Sequence, residues 1–345
     1  MNGNECMECG AAGGRAVERG SLRPPSEQHS LLIRVVRNCP WNKCKFCPAY
    51  KGEKFSVRTS AEVIEDIRRL AADPANHAYR AVFLQDGDAL AAKVDSLLEI
   101  LAAIRQHLPR VERITAYSRS RMLINRKVED LLRLREAGLD RIHVGLESGC
   151  DEVLAFMDKG TTYAEQKAAC LRVKEAGLEL CSYFMPGLGG QRWSEKHALD
   201  TGRLIAEIAP ERVRLRTCFV LDGTPLADEY RAGNFLPLSE DETVREIRLF
   251  LTQLADTPTE LVSDHRINLL MELRGRLPQD YGRLLGILDR YLALQLDDKA
   301  LFVAGRRLGM IRLLAELERG DTRDRIRDAA PNYRPQVPVP RDMLY

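Results

Sequence analysis

The sequence predicts an α/β protein built on a parallel sheet, open or closed, and three observations predict it. Runs rich in β-branched and aliphatic residues alternate with helical periodicity from Ser30 to Thr217. Hydroxyl residues stand where some of those helices should start, as Thr59 or Ser60 does. The alternation stops after Glu240, where only helical patterns follow.

Ser30–Arg37 (SLLIRVVR) reads as the first strand and Thr59–Ala72 as the first helix. Strand Ala81–Leu84 precedes helix Lys93–His107, and strand Arg113–Tyr117 precedes helix Asn125–Ala137. Strand Arg141–Leu146 leads to helix Thr162–Ala176, and strand Glu179–Phe184 to helix Ser194–Ile208. Arg212–Thr217 is the last strand, followed by a long connection, Cys218–Ser239, punctuated by Gly223-Thr224-Pro225 and Pro237. Glu240–Leu254, Gln279–Leu294 and Asp298–Arg319 read as helices of a C-terminal extension. Residues 1–29 form a leader, partly disordered, residues 30–224 the β/α core, and 225–330 the mostly helical extension. Pro331–Pro340 carries four prolines and begins an extended tail, 331–345.

At roughly 150 residues per domain, 345 residues suggest two domains or one large barrel. Charged residues are 30% and hydrophobic ones 45%, which excludes a disordered chain. No apolar run approaches the roughly 18 residues of a bilayer span, and the N-terminus lacks a signal-peptide core. A cytoplasmic protein without membrane contact is expected. Net charge is 52 − 50 = +2, too balanced for a dedicated nucleic-acid binder.

Nine cysteines in a chain without an export signal argue for metal binding or catalysis over disulfides. Cys39, Cys44 and Cys47 crowd one loop where the first strand ends. Three thiolates there can hold three corners of a cubane iron–sulfur cluster and leave the fourth iron open. A structural zinc ion would want a fourth protein ligand, for which His29 or Cys6 and Cys9 are conceivable donors.

This loop, with Phe46 just before its last cysteine, resembles that of the radical S-adenosylmethionine (radical SAM) superfamily. The usual spacing there is C-x3-C-x2-C, whereas this chain has C-x4-C-x2-C. Gln85-Asp86-Gly87-Asp88 follows the second strand, where the superfamily holds the methionine amino group of SAM. Gly145-Leu-Glu147-Ser148-Gly149-Cys150, then Lys159-Gly160-Thr161-Thr162, is similar to the fourth-strand segment of anaerobic coproporphyrinogen oxidases, methylthiotransferases and the Elongator catalytic subunit. The resemblance runs from about Leu31 to Thr224.

The resemblance implies a partial (β/α)6 TIM-like barrel with an α-helical C-terminal extension. It implies a [4Fe-4S] cluster on Cys39, Cys44 and Cys47. Phe46 would lie over the adenine of SAM, Gly87 and Asp88 by its amino group, Glu147 and Ser148 near its ribose and methionine, and Lys159 at its carboxylate. Ser118 belongs to the catalytic rim by fold analogy. The implied reaction is reductive cleavage of SAM to a 5′-deoxyadenosyl radical that abstracts hydrogen from a small molecule or modified macromolecule. An electron donor such as ferredoxin or flavodoxin would serve it. A cluster-bearing electron-transfer or sensor protein and a zinc-stabilised barrel module are the alternatives.

Strand alternation adds to this. Val213 and Leu215 suit a helix-facing side, which turns Arg214 and Arg216 inward. Buried arginines need acidic partners, and Glu147, Asp88, the SAM carboxylate and an anionic substrate are the candidates for Arg214 and Arg216, beside a purely structural salt-bridge network in the barrel wall; Arg216 is assigned to the cofactor. Tyr183 and Cys181, on the fifth strand, are candidate hydrogen donors to a substrate radical. Asp264 reads as a helix cap.

Overall fold

A computed structural model describes residues 16–20, 22–331, 333 and 337–340. Cys6 and Cys9 lie outside the described residues. Eight strands form one sheet in sequence order: β1 (Leu31–Arg34), β2 (Ala81–Gln85), β3 (Arg113–Ser118), β4 (Arg141–Glu147), β5 (Glu179–Phe184), β6 (Arg212–Leu215), β7 (Glu260–Val262) and β8 (Arg274–Arg276). Pairing is parallel through β7 and antiparallel for β8. β1 and β8 are the sheet's two edges, so the barrel is partial.

The sequence pattern shows no strand beyond Glu240, yet β7 and β8 are there. Each is three residues long, too short for alternation to register. The place of β7 is set by its register against β6, Arg212 opposite Glu260 and Arg214 opposite Val262. The stretch read as one first strand is divided: β1 stays in the sheet, and Val36–Arg37 turns away to pair with Ser56–Val57. The helix expected over Asp298–Arg319 is Leu296–Arg307, stopped at Gly309, whose φ of 72° is the left-handed turn that ends helices.

Local chemistry explains the helix starts. Thr59 caps helix Ser60–Ala72 through a reciprocal box with Glu62, and Thr162 caps Tyr163–Glu175 with Glu165 in the same way. The helices cover one face of the sheet, against Val82, Leu84, Ile114, Ala116, Ile142, Val144, Leu180, Phe184, Val213 and Leu215. The alternate residues meet on the inner face. Tyr117 stands 5.1 Å from Phe83 and 5.6 Å from His143, edge to face.

The leader contributes to this interior. Gln85 exchanges hydrogen bonds with Gly20 and donates to Leu22 O. Glu27, 0% exposed, accepts from Ser30 Oγ at 2.5 Å and lies 3.2 Å from His143 Nε2. It also lies 3.6 Å from Arg113 at the start of β3. These contacts run along the inner side of the sheet from the C-terminal end of β2 to the N-terminal ends of β3 and β4. A charged leader residue closes the barrel floor.

Candidate functional site

The loop from Asn38 to Tyr50 leaves the C-terminal end of the barrel. It turns through three left-handed residues, Asn38 (φ 68°), Asn42 (φ 49°) and Tyr50 (φ 61°), and asparagine tolerates that region well. Asn38 Nδ2 donates to Lys54 O at 2.7 Å, Asn42 Nδ2 to Tyr50 O, and Lys51 Nζ to Asn42 O and Cys44 O. The loop is therefore closed on itself before any cofactor is considered.

Asp86 fastens it to the barrel. Its carboxylate accepts from Tyr50 Oη at 2.8 Å, Arg34 Nε at 2.8 Å and Asn38 N at 3.4 Å. One buried side chain at the end of β2 thus holds both ends of the cysteine loop. Gly87, next along, lies so close that a Cβ there would stand 3.1 Å from Cys39 Cβ and 3.3 Å from Asn38 O. Glycine is required for that approach. The resemblance pointed at Gly87 and Asp88; Asp86 was missed, although its adjacency to Gly87 was the available signal.

Cys39, Cys44 and Cys47 are free thiols. Burial pushes Cys44 and Cys47 up, while Lys159 and Arg119 pull Cys44 back and Arg216 pulls Cys47 back. Among the described residues no three His, Cys, Asp or Glu side chains converge on one ion. A cubane cluster makes a different demand, because each cysteine meets its own iron at a separate corner. The donor set, three soft sulfurs facing two or three cations, fits such a cluster. His29 does not complete a zinc site: it precedes β1, at the opposite end of that strand from the loop, and pairs with Gln28.

Facing the loop is the end of β4. Glu147 is left-handed (φ 66°), and the β4–β5 register shifts between Gly145 and Glu147. A non-glycine residue held in that region marks a constrained position. Lys159 Nζ lies 3.7 Å from Glu147 Oε1 and 5.9 Å from the Phe46 ring centre. Glu147 Oε2 is buried and has no hydrogen-bond partner among the described residues. That orphaned acceptor is what a cofactor's N–H or O–H donor would satisfy. Trp41 Nε1 donates to Asp158 O at 2.6 Å, and Arg119 Nη2 donates to Lys159 O at 2.8 Å. Phe46, Glu147 and Lys159 are therefore brought together around the cysteines.

Other expected contacts are placed differently. Asp88 is fully buried, accepting from Ser118 Oγ at 2.8 Å and Arg119 N at 3.3 Å, and burial pushes its carboxyl up to about 7. Asp88 and Ser118 are joined to each other rather than open to a cofactor. Ser148 turns away altogether: its hydroxyl lies 2.8 Å from His197 Nδ1 on helix Gly190–Ile208 and accepts from Cys150 N. The left-handed Glu147 just before it reverses the facing. Cys181 is 0% exposed, deep in the barrel, and burial pushes it up to about 12. Tyr183 Oη sits 3.3 Å from His143 Nδ1, with Arg214 over its ring. Asp264 is no helix cap: it holds the Arg214 guanidinium at 2.5 and 2.6 Å.

Glu246, on helix Glu240–Thr252, anchors the turn after β5 by accepting from Gly187 N and Ser194 Oγ, both at 2.6 Å. Burial pushes it up to about 7 from an ordinary 4.5. A raised carboxyl contributes stability that is full below its unfolded value and is lost as pH rises through the folded one. His197, 3.9 Å away, is pushed down to about 4 by burial and works in the opposite direction. A comparison with Glu246→Gln isolates the carboxylate. The variant should gain on the wild type by up to about 3 kcal/mol between about pH 5 and pH 8 in denaturant unfolding. An offset identical at both pH values would refute this assignment.

Residues 33–202 match the family profile of the Radical SAM superfamily. The chain is 28% identical over 247 residues to a tRNA-2-methylthio-N(6)-dimethylallyladenosine synthase from Bordetella avium, covering 68% of this chain and 48% of that one. It is 25% identical over 123 residues to a tRNA uridine(34) acetyltransferase from Methanocaldococcus jannaschii, covering 35% and 22%. The chain thus spans half or less of the length of these curated relatives. The solved coproporphyrinogen III oxidase of Escherichia coli superposes with a TM-score of 0.50 at 17% identity, over 65% of this chain and 52% of that one. That likeness is one of fold. Among the described residues no helix is long and apolar enough to cross a membrane.

Proposed function

We propose that the chain is a radical SAM enzyme that uses a [4Fe-4S] cluster and SAM, that residues 33–202 are its radical SAM domain, and that Cys39, Cys44 and Cys47 hold the cluster while Phe46, Gly87, Glu147 and Lys159 hold SAM. When bound and given one electron by an external donor, the cluster and SAM would supply hydrogen-abstraction chemistry at the barrel mouth.

The observation that carries this is the convergence of Phe46, Lys159 and the unsatisfied Glu147 Oε2 on the cysteine loop. Lys159 offers an ammonium to a carboxylate, and Glu147 offers an acceptor to an amino or hydroxyl group. Phe46, 7% exposed, presents a ring for stacking. Asp88, Ser118 and Arg119 N–H tie the ends of β2 and β3 together and so position the turn that carries Gly87. Apolar Met185, Leu188 and Val220 pack beneath the loop with Cys44 and Phe46 and keep water from it.

Lys159→Ala should weaken SAM binding to the reconstituted protein by about tenfold or more, as expected for one charge-assisted contact worth about 1.5–3 kcal/mol. Iron content should stay at the wild-type level. Equilibrium binding of SAM without oxygen, with formation of 5′-deoxyadenosine after chemical reduction, reads both. Unchanged affinity in Lys159→Ala, or no deoxyadenosine from fully loaded wild type, would remove the support for this assignment.

A further inference from the structure

We propose that Arg216 is the seat for an oxyanion group of the substrate, a carboxylate or a phosphate, at the cluster-bearing end of the barrel. The proposal rests on the site described above and names the class of molecule it takes. The alternation of β6 turns Arg212, Arg214 and the following Arg216 to the inner face, and the three are not equivalent. Arg212 is paired with Glu260 at 2.5 Å and Arg214 with Asp264 at 2.5 Å. Arg216, the last on that face and the one beside the cysteine loop, has no hydrogen bond or ion pair from its guanidinium among the described residues. It is half-buried. Each deeper arginine carries its own carboxylate, and the uppermost lacks one.

The surroundings make the vacancy costly. Arg216 lines a narrow cavity in which Thr217 and Cys218 stand beside the apolar Phe46, Met185, Phe219, Leu221 and Ile267. A guanidinium with five donors in such walls is stabilised strongly by a planar or tetrahedral oxyanion, because the low dielectric strengthens the attraction. Its charge reaches Cys47 on one side and Tyr117 on the other, between the cysteine loop and the aromatic interior. His265, next to Asp264, is held down to about 3, first by burial and then by Arg216, Arg214 and Arg266. One wall is backed by the tail: Val339 N donates to Val220 O at 2.8 Å, Asp222 N to Val339 O at 2.9 Å, and Val339 packs with Leu221, Ile267 and Phe219. The cavity itself is only about 10 Å³, so an oxyanion would meet the Arg216 guanidinium at its mouth, with the apolar side chains beside it.

The test is calorimetric titration of SAM-loaded, reconstituted protein with succinate and, separately, inorganic phosphate. Wild type, Arg216→Lys and Arg216→Met are compared, with iron content and SAM affinity measured on each. At least one anion should bind wild type, Arg216→Met should weaken it about tenfold or more, and Arg216→Lys should keep most of the affinity. Which anion binds distinguishes a carboxylate from a phosphate. The proposal is overturned if neither anion binds, if Arg216→Met binds as wild type does, or if that variant loses SAM affinity instead, since the arginine then serves the cofactor. Wild-type protein that takes up neither iron nor SAM would overturn the underlying site assignment, and the iron and SAM measurements report that separately from the anion titration.

Discussion

Alanine at Cys39, Cys44 or Cys47 should cut the iron held by anaerobically reconstituted protein to less than about half and reduce 5′-deoxyadenosine formation to about 1% or below. Each thiolate anchors one corner of the cluster, so a single loss leaves two anchors on a loop that nothing else in the site replaces. The remaining described cysteines supply the internal control. Burial pushes Cys150 up to about 11 and Cys170, Cys181 and Cys218 up to about 12, which keeps them protonated and poor ligands near neutral pH. Cys170→Ala, in the core of helix Tyr163–Glu175, should lose a little stability and no iron. Iron content equal to wild type in all three loop variants would sink the cluster assignment. Stoichiometric zinc after purification without oxygen would point to a structural ion instead.

Asp86→Ala should lower the unfolding free energy by about 3–5 kcal/mol, the usual consequence of removing one partner of a buried ion pair. The substitution strips Arg34, Tyr50 and Asn38 of a shared acceptor. Arg34 retains Glu18 at 3.0 Å, which limits the loss without cancelling it. Because Tyr50 and Asn38 bracket the three cysteines, the variant should also retain less iron than wild type. Asp86→Asn is no rescue: its amide would turn two donors toward the donors of Arg34 or Tyr50. Glu112→Ala is the matched control, since its pair with Arg80 is 60% and 70% exposed and should be worth less than about 1 kcal/mol. Denaturant unfolding of the apoprotein measures stability, and iron analysis measures the loop. An Asp86→Ala midpoint equal to wild type would mean that the carboxylate does not fasten the loop.

Arg214 and Ser148 show how differently two readings fare. Counting along the strand turns Arg214 inward, and Arg214 is on the inner face with 2% exposure. Counting works there because β6 is regular and its register against β5 is unbroken from Arg212 to Leu215. The resemblance puts Ser148 beside Glu147 at the cofactor, but the left-handed Glu147 changes the direction of the chain between them. Periodicity carries no information across such a residue.

What the sequence determined by itself was whatever acts over a few residues. Those features are the inward face of β6 at Arg214, the helix start at Thr59, and the crowding of Cys39, Cys44 and Cys47 in one loop. Their physics is local: side chains two apart share a strand face, and a cap reaches three residues on. The tertiary structure alone decided which distant groups meet. Asp86 finds Tyr50 and Arg34, Glu27 of the leader reaches His143 across 116 positions, and β7 exists because three residues lie beside Arg212–Arg214. Those pairings depend on the registers and packing of all the chain between them, and a buried polar group takes its partner from whatever that packing brings within hydrogen-bond reach.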